Sequence, residues 1–180
     1  LLMNIFCHPK IKTWKGVQTL LKIDASFELA FAHYPGVLLN NESKDTTEVD
    51  LLIKSSDKII YCESKLTEGD FVYKPKVHFE QYKHIHEVID IDRLPVVRGQ
   101  IANYQLVRNI LAAHEVENNN GYFYLFCDMR RPDLAKSFFE TVSCIKPMDL
   151  RNRCKIYYWQ DIAAFCGKEL QSFLKIKYNI

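Results

Sequence analysis

No apolar run in this 180-residue chain approaches the roughly 18–20 residues that span a bilayer, and no signal peptide is evident. Both absences point away from the membrane and toward a cytoplasmic protein. A surplus of either charge is also missing: 24 basic against 22 acidic side chains leave a net +2. A nucleic-acid footprint must then be a local patch or cleft. The six cysteines (Cys7, Cys62, Cys127, Cys144, Cys154 and Cys166) form no C-x-x-C pair. This scatter argues against a zinc site or a disulfide framework and for reduced thiols. There is no glycine-rich phosphate loop, which argues against ATP-driven action, and no Ser-His-Asp or Cys-His nucleophile arrangement stands out. No repeat, low-complexity tract or linker divides the chain, so residues 1–180 read as one domain.

What is present suits a packed fold, with 48% hydrophobic residues and 13% aromatics. A first helix is expected over about residues 24–34, capped by Asp24 or Ser26, with Phe27, Phe31 and Tyr34 at helical spacing. "GVLLN", "VDLLI" and "KIIYCESKL" read as three strands. "KVHFEQYKHIHEVID" reads as a helix, and residues 99–117 as the strongest helix in the chain. "YFYLFCD" has the continuous apolar character of a buried central strand. "PDLAKSFFETVSCI" follows as a helix, "KIYYW" as a late strand and "QDIAAFCGKELQSFLKIKY" as a closing helix. The order predicts an α/β fold, an αβββαβ core in which helices flank a mixed sheet.

The segment "TEVDLLIKSSDKIIYCESKLTE" carries Asp50, Glu63 and Lys65 inside otherwise apolar strands, where burying charge is costly. A two-residue loop at Ser56-Asp57 would pair Ser55 with Lys58. That register sets Asp50 opposite Glu63, with Cβ atoms roughly 4.5–5.5 Å apart. Lys65 shares their face, and Leu51, Ile53, Ile60 and Cys62 occupy the other. Two carboxylates this close repel unless a cation lies between them. Oxygen donors without thiolates favour Mg²⁺ or Mn²⁺. The plain alternative is a Glu-Lys pair on an exposed edge hairpin, with Asp50 as a strand-start residue.

This pattern resembles the PD-(D/E)XK nuclease superfamily, in particular its restriction-endonuclease-like members. "EVD" and "ESK" supply the motif, and "YQLVRNIL" and "KIYYWQDI" fit the same comparison. Val49 stands where many members have proline. The resemblance implies a restriction-endonuclease-like core and Mg²⁺-dependent hydrolysis of DNA. Asp50, Glu63 and the Ser64 carbonyl would hold the metal, and Lys65 would position the attacking water. It further implies a metal-facing Glu on the first core helix, matched here by Glu28. A glutamine on the helix after the hairpin is matched either by Gln100, in "QIANY" with Tyr104, or by Gln105 in "YQL". Gln100-x-x-x-Tyr104 is the spacing of the exonuclease branch.

Candidate phosphate contacts are Lys74, Lys76, Lys83, Arg98 and Arg108. Lys10, Lys12, Lys15, Arg130 and Arg131 are weaker candidates, since a basic side chain is more often a solvated surface charge. His78, His84 and His86 cluster in sequence, but on one helix they would point to different sides, so they read as surface or DNA-contact residues. The leading expectation is a Mg²⁺-dependent DNA endonuclease, with a homodimer suited to cutting both strands. The alternatives are an inactive nuclease-like module that binds nucleic acid or protein, and a repair exonuclease.

Overall fold

The computed structural model describes residues 1–180. Two helices open the chain, α1 (Leu2–Phe6) and α2 (Lys15–Leu21), followed by strands β1 (Glu28–His33), β2 (Val49–Lys54) and β3 (Ile59–Lys65). Short helices α3 (Lys76–Glu80) and α4 (Ile85–Val88) lead to a small hairpin, β4 (Val96–Val97) with β5 (Gln100–Ile101). The long helix α5 (Tyr104–His114) precedes β6 (Gly121–Cys127), α6 (Pro132–Ser143), α7 (Met148–Arg153) and β7 (Cys154–Tyr158). Helices α8 (Trp159–Ala164) and α9 (Lys168–Tyr178) close the chain. The main sheet is five-stranded and mixed, in the order β1-β2-β3-β6-β7. β1, β2 and β3 are antiparallel neighbours, whereas β6 runs parallel to both β3 and β7. The αβββαβ order is therefore present as α2-β1-β2-β3-α5-β6, a restriction-endonuclease-like core.

The sheet separates two cores. One face packs Leu52, Tyr61, Phe123 and Leu125 against α5, with Leu106, Val107, Ile110 and Leu111. The other packs Leu51, Ile53, Ile60 and Cys62 against Ile5, Phe6, Trp159 and Leu174, so segments from both ends of the chain meet there. The β2–β3 register runs Leu51↔Cys62, Leu52↔Tyr61, Ile53↔Ile60 and Lys54↔Ile59, as the two-residue turn demands. β6 is buried along nearly its whole length, which its continuous apolar run anticipated.

Several elements differ from the sequence reading. The first core helix is α2, and residues 28–33 form an edge strand instead. Phe27 and Phe31 satisfy a four-residue repeat, but with Leu29 they also satisfy a two-residue one, and all three pack on the second core. Asp24 does not cap a helix there. Its carboxylate accepts from Ser55 Oγ and from the Ser56 N–H, tying the start of β1 to the β2–β3 turn. "GVLLN" makes only isolated bridges, one of them Leu39 with Tyr82. That bridge splits the expected helix 76–90 into α3 and α4, because Lys83 N–H donates to Leu38 O and Asn40 N–H to Gln81 O. The strongest helix begins later than its amphipathic pattern suggested. Arg98 and Gly99 both take positive φ, 51° and 76°, and form the two-residue turn of the β4–β5 hairpin. The closing helix breaks at Gly167, whose extended backbone caps α9.

Gly121, at the start of β6, has no room for a side chain. An added Cβ would lie 2.0 Å from the Ala113 carbonyl oxygen and 2.8 Å from its carbon, near the end of α5. Because the obstacle is backbone, Gly121→Ala is expected to cost about 1–3 kcal/mol, a fall in melting midpoint of roughly 2–12 °C for a chain of this size. Gly69→Ala, where a Cβ meets nothing within 4 Å, should leave the midpoint within about 2 °C in the same thermal denaturation.

Candidate active site

Alternation along β3 turns Glu63 and Lys65 toward α5, while Cys62, just before Glu63, points into the opposite core. In β2 the alternation breaks at Asp50, since Leu51 faces that opposite core and Val49 the α5 side. Glu63 lies where β3 is flanked by β2 and β6, and its residue is only 3% exposed. A carboxylate at such a position must be paired and hydrogen-bonded. Its Oε1 lies 3.2 Å from Lys65 Nζ, and its Oε2 accepts from Asn109 Nδ2 at 2.8 Å. Asn109 is fully buried on α5, and its Oδ1 accepts from the Arg108 guanidinium at 3.1 Å. Arg108 also donates to the Glu48 carbonyl at 2.9 Å. Lys65 Nζ donates to Gln105 Oε1 at 3.2 Å and lies 5.6 Å from the centre of the Phe71 ring. The end of the strand is held separately, by Trp159 Nε1 donating to the Lys65 carbonyl at 3.2 Å.

Asp50 stands at the open end of the hairpin, half-buried. The β2–β3 pairing ends at Leu51↔Cys62, and Asp50 is the next residue along β2, beyond the last pair. Its Oδ2 accepts from the Ser64 N–H at 2.7 Å. Burial pushes the Asp50 carboxyl above its ordinary range, against the opposing pull of the Ser64 N–H and Lys65. Burial raises Glu63 as well, reinforced by the charge of Asp50 and offset in part by Lys65, Arg108 and Asn109. The two acids thus compete for the cations around them. A cleft of about 390 Å³ opens on Asp50 and Ser64, with Ala32, Glu48 and Glu68 on its walls. Ala32 takes a left-handed φ of 49° in β1, between the pairs Phe31↔Leu51 and His33↔Val49. Backbone strain of this kind in a non-glycine residue gathers at functional sites. A larger cavity, about 870 Å³, lies at the other end of the hairpin around Ser55–Ile59 and touches none of these acids.

Asp50 and Glu63 offer oxygen donors alone. The Cys62 thiol faces the opposite core and is pushed well up by burial, and Cys127, paired with Lys65 on β6, is buried and pushed up to about 12. That donor set fits a hard divalent cation such as Mg²⁺ or Mn²⁺, whose charge would relieve the repulsion between the acids.

The remaining sequence candidates divide clearly. Gln105 touches Lys65, and Gln100 does not. Gln100 is exposed on β5, and with Tyr104 at the start of α5 the two do not share a helical turn. Glu28 also lies away from the acids. It lies exposed on β1 opposite Lys54, the far end of β2 from Asp50. Four residues of strand separate it from Ala32, about 13 Å at 3.3 Å per residue. Arg108 is buried, 3% exposed, behind Asn109, so it is a fixed internal cation and not a surface phosphate contact. Lys76 pairs with Asp92 at 2.8 Å and Lys83 with Glu42 at 3.0 Å. Lys74 bridges through its backbone to Ile101, and Arg98 is exposed at the tip of the β4–β5 hairpin. Lys10, Lys12 and Lys15 are exposed near the start of the chain. Arg130 pairs with Asp128, and Arg131 donates to the Glu68 carbonyl at 2.7 Å, fastening the loop after β3. Asn109 and Glu68 were not singled out in the sequence. An amide one helical turn beyond Gln105, within the apolar run "LVRNILAA", was the available signal for Asn109.

The chain belongs to the family described as restriction endonuclease associating with ARP, whose model matches residues 1–179. No curated protein and no solved structure matches it. The family's description points to a nuclease-like function. No helix is long and apolar enough to cross a membrane.

The two raised carboxyls make stability depend on pH. The folded protein holds their protons more tightly than the unfolded chain, whose values are about 3.8 and 4.5. Their contribution is therefore fully present below about pH 4 and is lost as pH rises through the raised values. Glu63→Gln in EDTA at pH 7.5 should raise the melting midpoint, since the neutral amide no longer repels Asp50. The gain should shrink as the pH is lowered toward 4. A lower midpoint for the variant at pH 7.5 would mean that Lys65 and Asn109 more than offset the repulsion.

Proposed function

We propose that this protein is a Mg²⁺-dependent DNA endonuclease that uses Asp50, Glu63 and Lys65 in the manner of the PD-(D/E)XK nucleases. The observation that carries the reading is the grouping of these residues: Lys65 pairs with Glu63, and Asp50 accepts from the N–H of Ser64, the residue between them. Lys65 Nζ stands 3.2 Å from both Glu63 and Gln105. Membership in a restriction endonuclease family supports it at a coarser level.

In this reading Asp50, Glu63 and the Ser64 carbonyl would hold the metal. When bound, Mg²⁺ would supply an activated water and stabilise charge on the phosphate. The chain's own residues do the rest. Lys65 orients the attacking water and offsets negative charge as its oxygen bonds to phosphorus. The bond to the 3′ oxygen breaks, that oxygen gains a proton, and the water's proton passes to solvent, leaving a 5′-phosphate and a 3′-hydroxyl. Gln105 is a positioning residue that fixes the Lys65 ammonium. Asn109 plays the same part for Glu63, and Arg108 holds the Asn109 amide in the orientation that donates to the acid. Lys74 and Arg98, beside the start of α5, are proposed to contact DNA phosphates. Lys76 and Lys83 can join them by exchanging their exposed carboxylate partners for phosphate, since such surface pairs are worth about 0–1 kcal/mol. Cutting both strands of a duplex would call for two copies related by a two-fold axis.

The test is incubation of the purified full chain with supercoiled plasmid and with linear single-stranded DNA, in Mg²⁺, Mn²⁺ or EDTA. Cleavage should require the metal and fall about 100-fold or more in Lys65→Ala. Gln105→Ala should lose about tenfold, as loss of a supporting contact does, while Glu28→Ala and Gln100→Ala cut at the parent rate. Metal-dependent cutting that persists in Lys65→Ala would overturn the site. Failure to cut any DNA or RNA would make the chain a nuclease-like binding module.

A further inference from the structure

His84, Glu87 and His114 come together at the end of α5 remote from Gln105. Their ligating atoms all lie within 4.8 Å of one another. His84 immediately precedes α4, Glu87 lies on it, and His114 is the last residue of α5. We propose that these three side chains form a second metal site, for Zn²⁺ or a similarly borderline divalent ion, which clamps α4 to the C-terminal end of α5. The inference is independent of the nuclease reading.

An ordinary ion pair accounts for part of the cluster. His84 Nδ1 is 3.2 Å from Glu87 Oε2, the separation of a surface pair three residues apart on a helix. It does not account for His114. That ring meets His84 edge-on, with centroids 5.8 Å apart, and so turns a third donor toward the other two. Two imidazoles brought together would repel if both were protonated. A cation held between their ring nitrogens would remove that repulsion, because coordination takes the neutral ring of each. Two nitrogen donors and one carboxylate form the ligand set of many three-residue zinc sites. Imidazole donors also separate this site from the oxygen-only pair at Asp50 and Glu63, where Mg²⁺ suits the chemistry better.

The surroundings add two points. His84 and His114 both line the cavity of about 870 Å³, so an ion with three protein ligands would keep an exchangeable position toward that space. α4 spans only four residues, Ile85–Val88, and a cross-link to α5 would restrain a segment too short to hold its own shape. The sequence brought His84 into view beside His78 and His86. Its companions in the fold are instead Glu87 and the distant His114.

The experiment is calorimetric titration of the chelator-treated full chain with ZnCl₂, in excess Mg²⁺, with Co²⁺ absorption as a second readout of coordination. One equivalent of Zn²⁺ is expected to bind and to raise the melting midpoint. Affinity should fall about 10–100-fold or more in His114→Ala and in Glu87→Ala, since losing a ligand costs at least what losing an outer-shell partner does. Glu87 is 69% exposed, so its variant carries little risk to folding. Binding should survive in Asp50→Ala and in Cys7→Ser, which removes the exposed thiol. The proposal is overturned if no Zn²⁺ binds, if Glu87→Ala and His114→Ala leave affinity unchanged, or if Asp50→Ala alone abolishes binding.

Discussion

A carboxylate in the middle of a sheet sets the terms for the rest of the molecule. Glu63 sits between β2 and β6, nearly sealed from water, and an acid there is tolerable only with fixed partners on every side. Those partners come from two levels of structure. Lys65 is local, two residues along the same strand. Asp50 adds repulsion that they must also offset. Asn109 and Arg108 come from α5, which must dock on this face of the sheet for the acid to be satisfied at all. The docking of α5 is thus both a hydrophobic event and an electrostatic one. Leu106, Val107, Ile110 and Leu111 supply the apolar contact, and polar side chains on the same helix supply the hydrogen bonds.

Compensation is incomplete at the open end of the hairpin, and this is informative. Asp50 has the Ser64 N–H and a share of two cations, yet burial still lifts its carboxyl above the ordinary range. Ala32 nearby carries a backbone conformation that alanine adopts only at a cost. A chain selected for stability alone would replace these features. Their presence together on the wall of one cleft fits a site that gives up stability for a ligand. The cleft is smaller than the cavity at the opposite end of the hairpin. For a nuclease, size is the weaker guide, because a phosphodiester needs a charged ledge and not an enclosed chamber.

α5 then spans two polar clusters. Gln105 near its start and Asn109 at its middle hydrogen-bond Lys65 and Glu63, and His114 at its end lies beside His84 and Glu87. Gly121 lies against the same helix, close enough that a single methyl group would disturb the fit. A restraint applied at the His114 end would therefore be felt by the helix that supports the acidic pair.

The sequence determined the local parts of this protein. A two-residue turn and period-two alternation were enough to set the β2–β3 register and to turn Leu51, Ile53, Ile60 and Cys62 to one face. The continuous apolar run of β6 declared its burial in the same way. Local pattern failed where two periods fit the same letters. Phe27 and Phe31 suit a helix as well as a strand, and only pairing with β2 decided for the strand, carrying Glu28 away from the acids. It failed again where backbone contacts from a distant segment cut a helix in two at Tyr82. Whether Gln100 or Gln105 meets the lysine, whether Arg108 faces solvent or Asn109, and whether His84 stands alone or beside His114 are questions of docking. Their answers depend on how α5 lies on the sheet, and side chains far apart in the chain acquire partners only once that packing is made.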